Sequence, residues 1–199
     1  MNKLLHWSIE NKQDDEKIDV SEIDPKWIDI ILGKTSSVYV NEQLEEIRQS
    51  SIEKQREILT NLEEYCWDLD NANSVQDWRF LMELQHDNDL KDVVYSLFGT
   101  ILQNNEQAQK IFVNNVDWTM ILQDLHLNQK VLDKVFYCLC SILPSFEPAR
   151  DEFSAIDGYA RVLELLDKGI NHKKVIYFLK KNLHYVKTTP QQLELIQSS

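Results

Sequence analysis

The chain has 199 residues, 43% of them hydrophobic and 27% charged, ordinary globular usage that excludes wholesale disorder. Four Gly and four Pro leave few places for sharp turns or close backbone approaches, which disfavours sheet-rich and phosphate-cradling folds. A formal net charge of -12 repels phosphate backbones and anionic lipid, so the expected partner is a protein, with no nucleic acid and no membrane.

In chain order, the first feature is a short apolar cluster, Leu4, Leu5, Trp7 and Ile9, about two helical turns long and too short to hold as an isolated helix. Polar residues break it every two or three positions, so it lacks the apolar core of a secretory signal. Residues 10–26 carry Asp14, Asp15, Glu16, Asp19, Glu22 and Asp24 around three apolar residues, which predicts a flexible linker because little buried area offsets the entropy of ordering. Trp27, Ile30, Ile31 and Leu32 then precede Gly33, the usual residue just past a helix C-terminus. From Val40 onward the period is helical. Leu44, Ile47, Ile58, Leu62, Tyr65, Cys66 and Leu69 are spaced by threes and fours, the buried face of amphipathic helices, and no stretch alternates with period two.

An internal repeat fixes the architecture. A shift of 41 residues aligns Val94 with Val135, Tyr95 with Phe136, Phe98 with Leu139, Phe112 with Phe153, Trp118 with Tyr159 and Leu125 with Leu166. A shift of 40 pairs Asp77 and Trp78 with Asp117 and Trp118, and a further step of 41 places Ile176 and Tyr177 beside Val135 and Phe136. Three units result, of the length used by armadillo and HEAT proteins. In the middle unit, Glu106–Asn115, Trp118–Leu127 and Gln129–Leu143 read as three helices, with Pro144 and Pro148 punctuating the turn to the next, because proline cannot sit inside a helix. Three helices per unit favour armadillo over HEAT. The expected fold is all-α, a right-handed α-solenoid of armadillo repeats with a flexible N-terminal extension: residues 1–39 as the N-terminal segment, 40–187 as the repeat domain after an N-terminal helical region, and 188–199 as a tail.

Charge is unevenly spread. Residues 158–199 hold seven bases and three acids, a basic island on an otherwise acidic body. No Gly-rich phosphate loop, metalloprotease pair, nucleophile elbow or paired CxxC occurs, so no catalytic residue, metal or cofactor is expected. Cys138 and Cys140 are two apart on a predicted helix and point to different faces, and Trp78 and Trp118 read as core of the second helices. Three cysteines and no glycosylation sequon favour a reducing compartment. The longest apolar stretch, Val135–Leu143, is half a membrane span. A soluble cytoplasmic protein is expected, with the nucleus also open to it.

Four strings carry a family resemblance: Lys3-Leu4-Leu5-His6-Trp7-Ser8-Ile9, Asp24-Pro25-Lys26, Leu69-Asp70-Asn71-Ala72-Asn73 and Phe98-Gly99-Thr100-Ile101-Leu102-Gln103-Asn104-Asn105. In order and spacing the chain resembles the Fes/HspBP family of armadillo-type nucleotide exchange factors for cytosolic 70-kDa heat-shock (DnaK-type) chaperones. The resemblance implies binding to the chaperone's ATPase domain and faster ADP release. It implies contacts from Asn71, Ala72 and Asn73 at one end of a groove lined by the third helices, and from Lys173, Lys174 and Lys181 in the last unit, with Asn104 a further candidate. It also implies that Leu4, Leu5, Trp7 and Ile9 act as a release segment that engages the chaperone's substrate-binding domain. Beside these stand plainer readings: Asn71–Asn73 as a helix-ending turn, the lysines as a solvated face, the N-terminal cluster packed on the solenoid's own end. A rival function is an armadillo adaptor that binds a peptide or protein without effect on nucleotide. Family members commonly carry a fourth unit and a C-terminal helical cap, whereas only Gln191–Ser199 follows Pro190 here.

Overall fold

The computed structural model describes residues 36–169 and 172–198. These residues form twelve α-helices and one 3-10 turn, with no strand among them. The N-terminal pair α1 (Ser36–Gln49) and α2 (Ile52–Tyr65) buries Val40, Leu44, Ile47, Ile58, Leu59 and Leu62, all but Leu59 members of the periodic set, while Tyr65 of that set is half-buried. Three units of three helices follow: α3 (Leu69–Ala72), α4 (Trp78–Leu84) and α5 (Lys91–Leu102); α6 (Glu106–Asn115), α7 (Trp118–Asp124) and α8 (Gln129–Ile142); α9 (Glu147–Ala155), α10 (Gly158–Asp167) and α11 (His172–Lys181). A 3-10 turn at Leu183–Tyr185 and α12 (Pro190–Ser198) complete the described chain.

Short polar side chains start these helices by accepting from free N–H groups of the first turn. Asp77 accepts from Phe80 N at 3.1 Å, Asn105 from Ala108 N at 3.1 Å, Asp117 from Thr119 N at 2.9 Å and Asn128 from Val131 N at 3.1 Å. Pro148 stands in the first turn of α9, where its missing N–H costs nothing. Asn104 links α5 to α6 at φ 54, a left-handed conformation that Asn tolerates better than most residues.

The last helices of successive segments stack side by side in the order α2, α5, α8, α11, with the most extensive packing between α5 and α8. Gly99 permits that approach, because a Cβ there would collide with the Tyr137 ring. Inside runs a continuous series of aromatic contacts. Trp78 stacks on Phe98 (6.2 Å between centroids), Phe98 meets Phe112 edge-on (5.3 Å), Phe112 meets Trp118 (6.0 Å), Trp118 meets Phe153 (6.0 Å) and Phe153 meets Phe178 (6.3 Å). The units are therefore joined by one core rather than by three separate ones, as a stacked repeat requires. Trp78 and Trp118 are core residues of the second helices, 4% and 6% exposed.

Three details differ from the sequence expectation. The shift from α8 to α11 is 40, not 41: Val175, Ile176, Phe178 and Leu179 are buried where Val135, Phe136, Cys138 and Leu139 are buried in α8. The 41-residue frame holds through Leu125 and Leu166, so one residue is lost in the connection between α10 and α11. That slip turns Tyr177 outward, 56% exposed, at the position of Tyr137. Leu69 is not on a buried face but 51% exposed, since α2 ends at Tyr65 and α3 starts a new direction. Residues 188–199, read as a tail, contain α12, which packs on α11 and buries Ile196.

Candidate functional site

The stacked α2, α5, α8 and α11 present a face that the charged residues of each helix cross. On α8, Lys130, Asp133, Lys134, Tyr137 and Ser141 fall at spacings of three and four, one side of one helix. Lys173, Lys174, Tyr177 and Lys181 do the same on α11. Between these two helices lies a groove of about 400 Å³ whose lining includes Gln103, Asp133, Tyr137, Ser141, Lys173, Lys174 and Tyr177. Lys174 Nζ reaches Asp133 Oδ2 at 3.0 Å, and the Lys181 ammonium stands 5.7 Å from the centre of the Tyr177 ring, within cation–π range.

Polar contacts tie the face together across helices. Arg56 of α2 donates twice to the Asp92 carboxylate of α5, both at 2.7 Å, and Lys130 of α8 reaches the same carboxylate at 2.6 Å. Burial alone pushes the Asp92 carboxyl up, but these donors outweigh it and hold its pKa at about 2. One turn further on, Lys134 Nζ donates to Ser96 Oγ (2.7 Å), Ser96 donates to Glu63 Oε1 (2.6 Å) and the Thr100 and Tyr137 hydroxyls lie 3.1 Å apart. The lysine ammoniums over this part of the face are thus positioned, not free-swinging.

Burial pushes the Cys140 thiol in the groove up to about 11, with Lys181 and Lys174 opposing only weakly, so it is not a ready nucleophile. Cys66 is pushed to about 12 and Cys138 higher by the same cause, and all three cysteines are free. Among the described residues there is no group of three or more His, Cys, Asp or Glu placed to hold a metal ion, and no helix long and apolar enough to cross a membrane.

Of the residues singled out from sequence, Lys173, Lys174 and Lys181 come together on α11 beside the groove. Asn104 follows Gln103, a groove residue at the end of α5. The Asn71–Asn73 turn lies apart from it, on α3, which packs against α1 and α5. Asn71 is 5% and Ala72 3% exposed; Asn71 Nδ2 donates to Tyr65 O at 2.9 Å and its Oδ1 accepts from Ser36 Oγ at 2.7 Å. Asn73 is the exposed member of the three. Leu4, Leu5, Trp7 and Ile9 lie outside the described residues. Sequence reasoning missed Tyr137 and Tyr177 as a groove pair and Asp92 as a three-helix link. The Tyr-to-Tyr spacing of 40 was the available signal, hidden by carrying the 41-residue frame one helix too far.

The described residues define an α-solenoid of armadillo-like repeats with an open charged face. Residues 1–75 match the family model described as Nucleotide exchange factor Fes1. A protein named Hsp70 nucleotide exchange factor FES1 from Candida glabrata is 28% identical over 196 residues, covering 90% of this chain and 66% of that protein. Proteins of the same name from Kluyveromyces lactis and Saccharomyces cerevisiae are each 26% identical, covering 83% and 79% of this chain and 63% and 60% of theirs. The chain therefore spans just under two thirds of the length of these relatives. No solved structure matches it. These similarities bear out the family resemblance, over most of the chain.

Proposed function

We propose that this protein is a nucleotide exchange factor that binds the ATPase domain of a cytosolic DnaK-type chaperone through the stacked-helix face and accelerates ADP release. The observation that carries this reading is the joint one: a relative named as an Hsp70 nucleotide exchange factor aligns along 90% of the chain, and the stacked-helix face of this chain displays positioned lysines and tyrosines. Exchange by such a protein needs no chemistry. If the face binds the opened, nucleotide-free ATPase domain more tightly than the closed one, nucleotide affinity must fall by the same factor. Each tenfold preference corresponds to about 1.4 kcal/mol of differential contact.

Lys173, Lys174 and Lys181 supply the basic contact, with Tyr177 between them, while Asn73 and the backbone around the buried Ala72 supply the contact at the α3 end. Leu4, Leu5, Trp7 and Ile9 serve as a tethered release segment for the chaperone's substrate-binding domain, where tethering raises effective concentration. The test is the affinity for the isolated ATPase domain with and without saturating ADP. The proposal requires markedly tighter binding without nucleotide. Equal affinities would leave an adaptor with no effect on nucleotide.

A further inference from the structure

Trp67 is 74% exposed in the link between α2 and α3, and Leu69, the first residue of α3, is 51% exposed. Exposed apolar residues scattered singly are unremarkable, but this pair is held in place. Cys66 and Ala72 on either side are buried, the Asn71 side chain is fixed to Tyr65 O and Ser36 Oγ, and the Asp68 carboxylate caps α3 by accepting from Asp70 N at 2.9 Å. The backbone that bears Trp67 and Leu69 is thus ordered before any partner arrives, so little ordering entropy remains to oppose binding. The neighbouring sequence is acidic: Glu64, Asp68 and Asp70 are exposed and the stretch 64–78 contains no Lys or Arg, Arg48 meeting it at Asp77. Leu69 and Asn73 are four apart and share one side of the turn.

We propose that Trp67 and Leu69 are a rigid anchor for a protein surface that offers an apolar pocket ringed by basic residues. Tryptophan is among the residues most enriched at energetic centres of interfaces, and the acidic collar selects the rim. The inference rests on the proposed function, which puts that pocket on the chaperone's ATPase domain. The first unit then requires basic ground and the last unit, with Lys173, Lys174 and Lys181, requires acidic ground, so the charge pattern fixes the direction in which the partner lies along the stacked helices.

The test uses the full chain, the isolated ATPase domain, and the double variant Trp67→Ala with Leu69→Ala. Affinity is expected to fall at least tenfold while the melting temperature of the free protein stays within a few degrees, and Glu64→Lys with Asp70→Lys is expected to slow association in a salt-dependent way. Wild-type binding with undiminished affinity in the double variant overturns the anchor and leaves the proposed function standing. Absence of wild-type binding removes the proposed function and the anchor with it. A fall in melting temperature beyond a few degrees means the chain itself covers the pair, and self-association of the wild type abolished in the double variant means a second copy does; either result overturns the inference.

Discussion

The two junctions between consecutive units are built at matching positions from opposite chemistry. Where the first unit meets the second, Lys91 Nζ lies 2.6 Å from Asp124 Oδ1, the Tyr95 hydroxyl donates to Asp124 Oδ2 at 2.7 Å, and Gln85 Nε2 donates to that hydroxyl at 2.5 Å. All four residues are at most 6% exposed, and burial, then the Asp124 charge, pushes the Tyr95 hydroxyl far above its ordinary pKa. One repeat later the same positions are Leu125, Leu132, Phe136 and Leu165, all at most 3% exposed. The repeat thus dictates a buried position and leaves its polarity open. Either a fully paired polar set or a purely apolar one closes the junction, whereas half of a polar set does not.

The largest effect should come from breaking that completeness. Asp124→Ala strands the Lys91 ammonium in the interior, and chemical denaturation should show a loss of about 3–5 kcal/mol; a loss below about 1 kcal/mol would mean the junction is wet and the pair unimportant. Copying the second junction into the first, with Gln85→Leu, Lys91→Leu, Tyr95→Phe and Asp124→Leu together, should leave stability unchanged or raise it by up to about 4 kcal/mol. Severe destabilisation of that quadruple variant would show that the two junctions are not interchangeable in shape.

Outside the core the same comparison holds between Asp92, tied to Arg56 and Lys130, and its counterpart Asp133, tied to Lys174. The Asp92 carboxyl is held at about 2 against an ordinary 3.8, so its contribution is present above about pH 4 and is lost as pH falls toward 2. That contribution is of order 2 kcal/mol, and Asp92→Asn should flatten the acid limb of the stability profile over that window; an unchanged limb would place the acid sensitivity elsewhere. Asp133 sits in a more open pair, its side chain 32% and that of Lys174 48% exposed, and such pairs contribute under about 1 kcal/mol. Lys174→Glu should therefore leave the melting temperature nearly untouched while weakening the ATPase-domain complex. A collapse of the fold would make Lys174 a structural residue.

Much of the solenoid was legible because stacking repeats its apolar positions. Phe112 and Phe153, Val94 and Val135, and the three helices of the middle unit could be read by shifting the chain against itself. What escaped depends on single-residue events and on partners far apart in sequence. One residue lost between α10 and α11 turned Tyr177 from core to groove, and periodicity inside either helix carries no trace of it. The Arg56–Asp92–Lys130 link joins residues 36 and 38 apart whose individual identities resemble any solvated helix face. Asn71 was read as turn or contact, and its burial follows from Ser36 and Tyr65, which only the folded chain brings to it. The lysines of α11 stand out through the family resemblance, within a basic island that composition shows, whereas the groove that Lys173 and Lys174 line with α8 depends on how the helices stack.

The central claim is that the stacked-helix face loosens a chaperone's hold on nucleotide. Release of labelled ADP from the ATPase domain of a cytosolic DnaK-type chaperone, followed by stopped flow against increasing concentrations of this protein, tests it most directly. A release rate that rises and saturates with protein, and rises less with Lys174→Glu, is the predicted result. A release rate independent of this protein, at concentrations where a complex demonstrably forms, would contradict it.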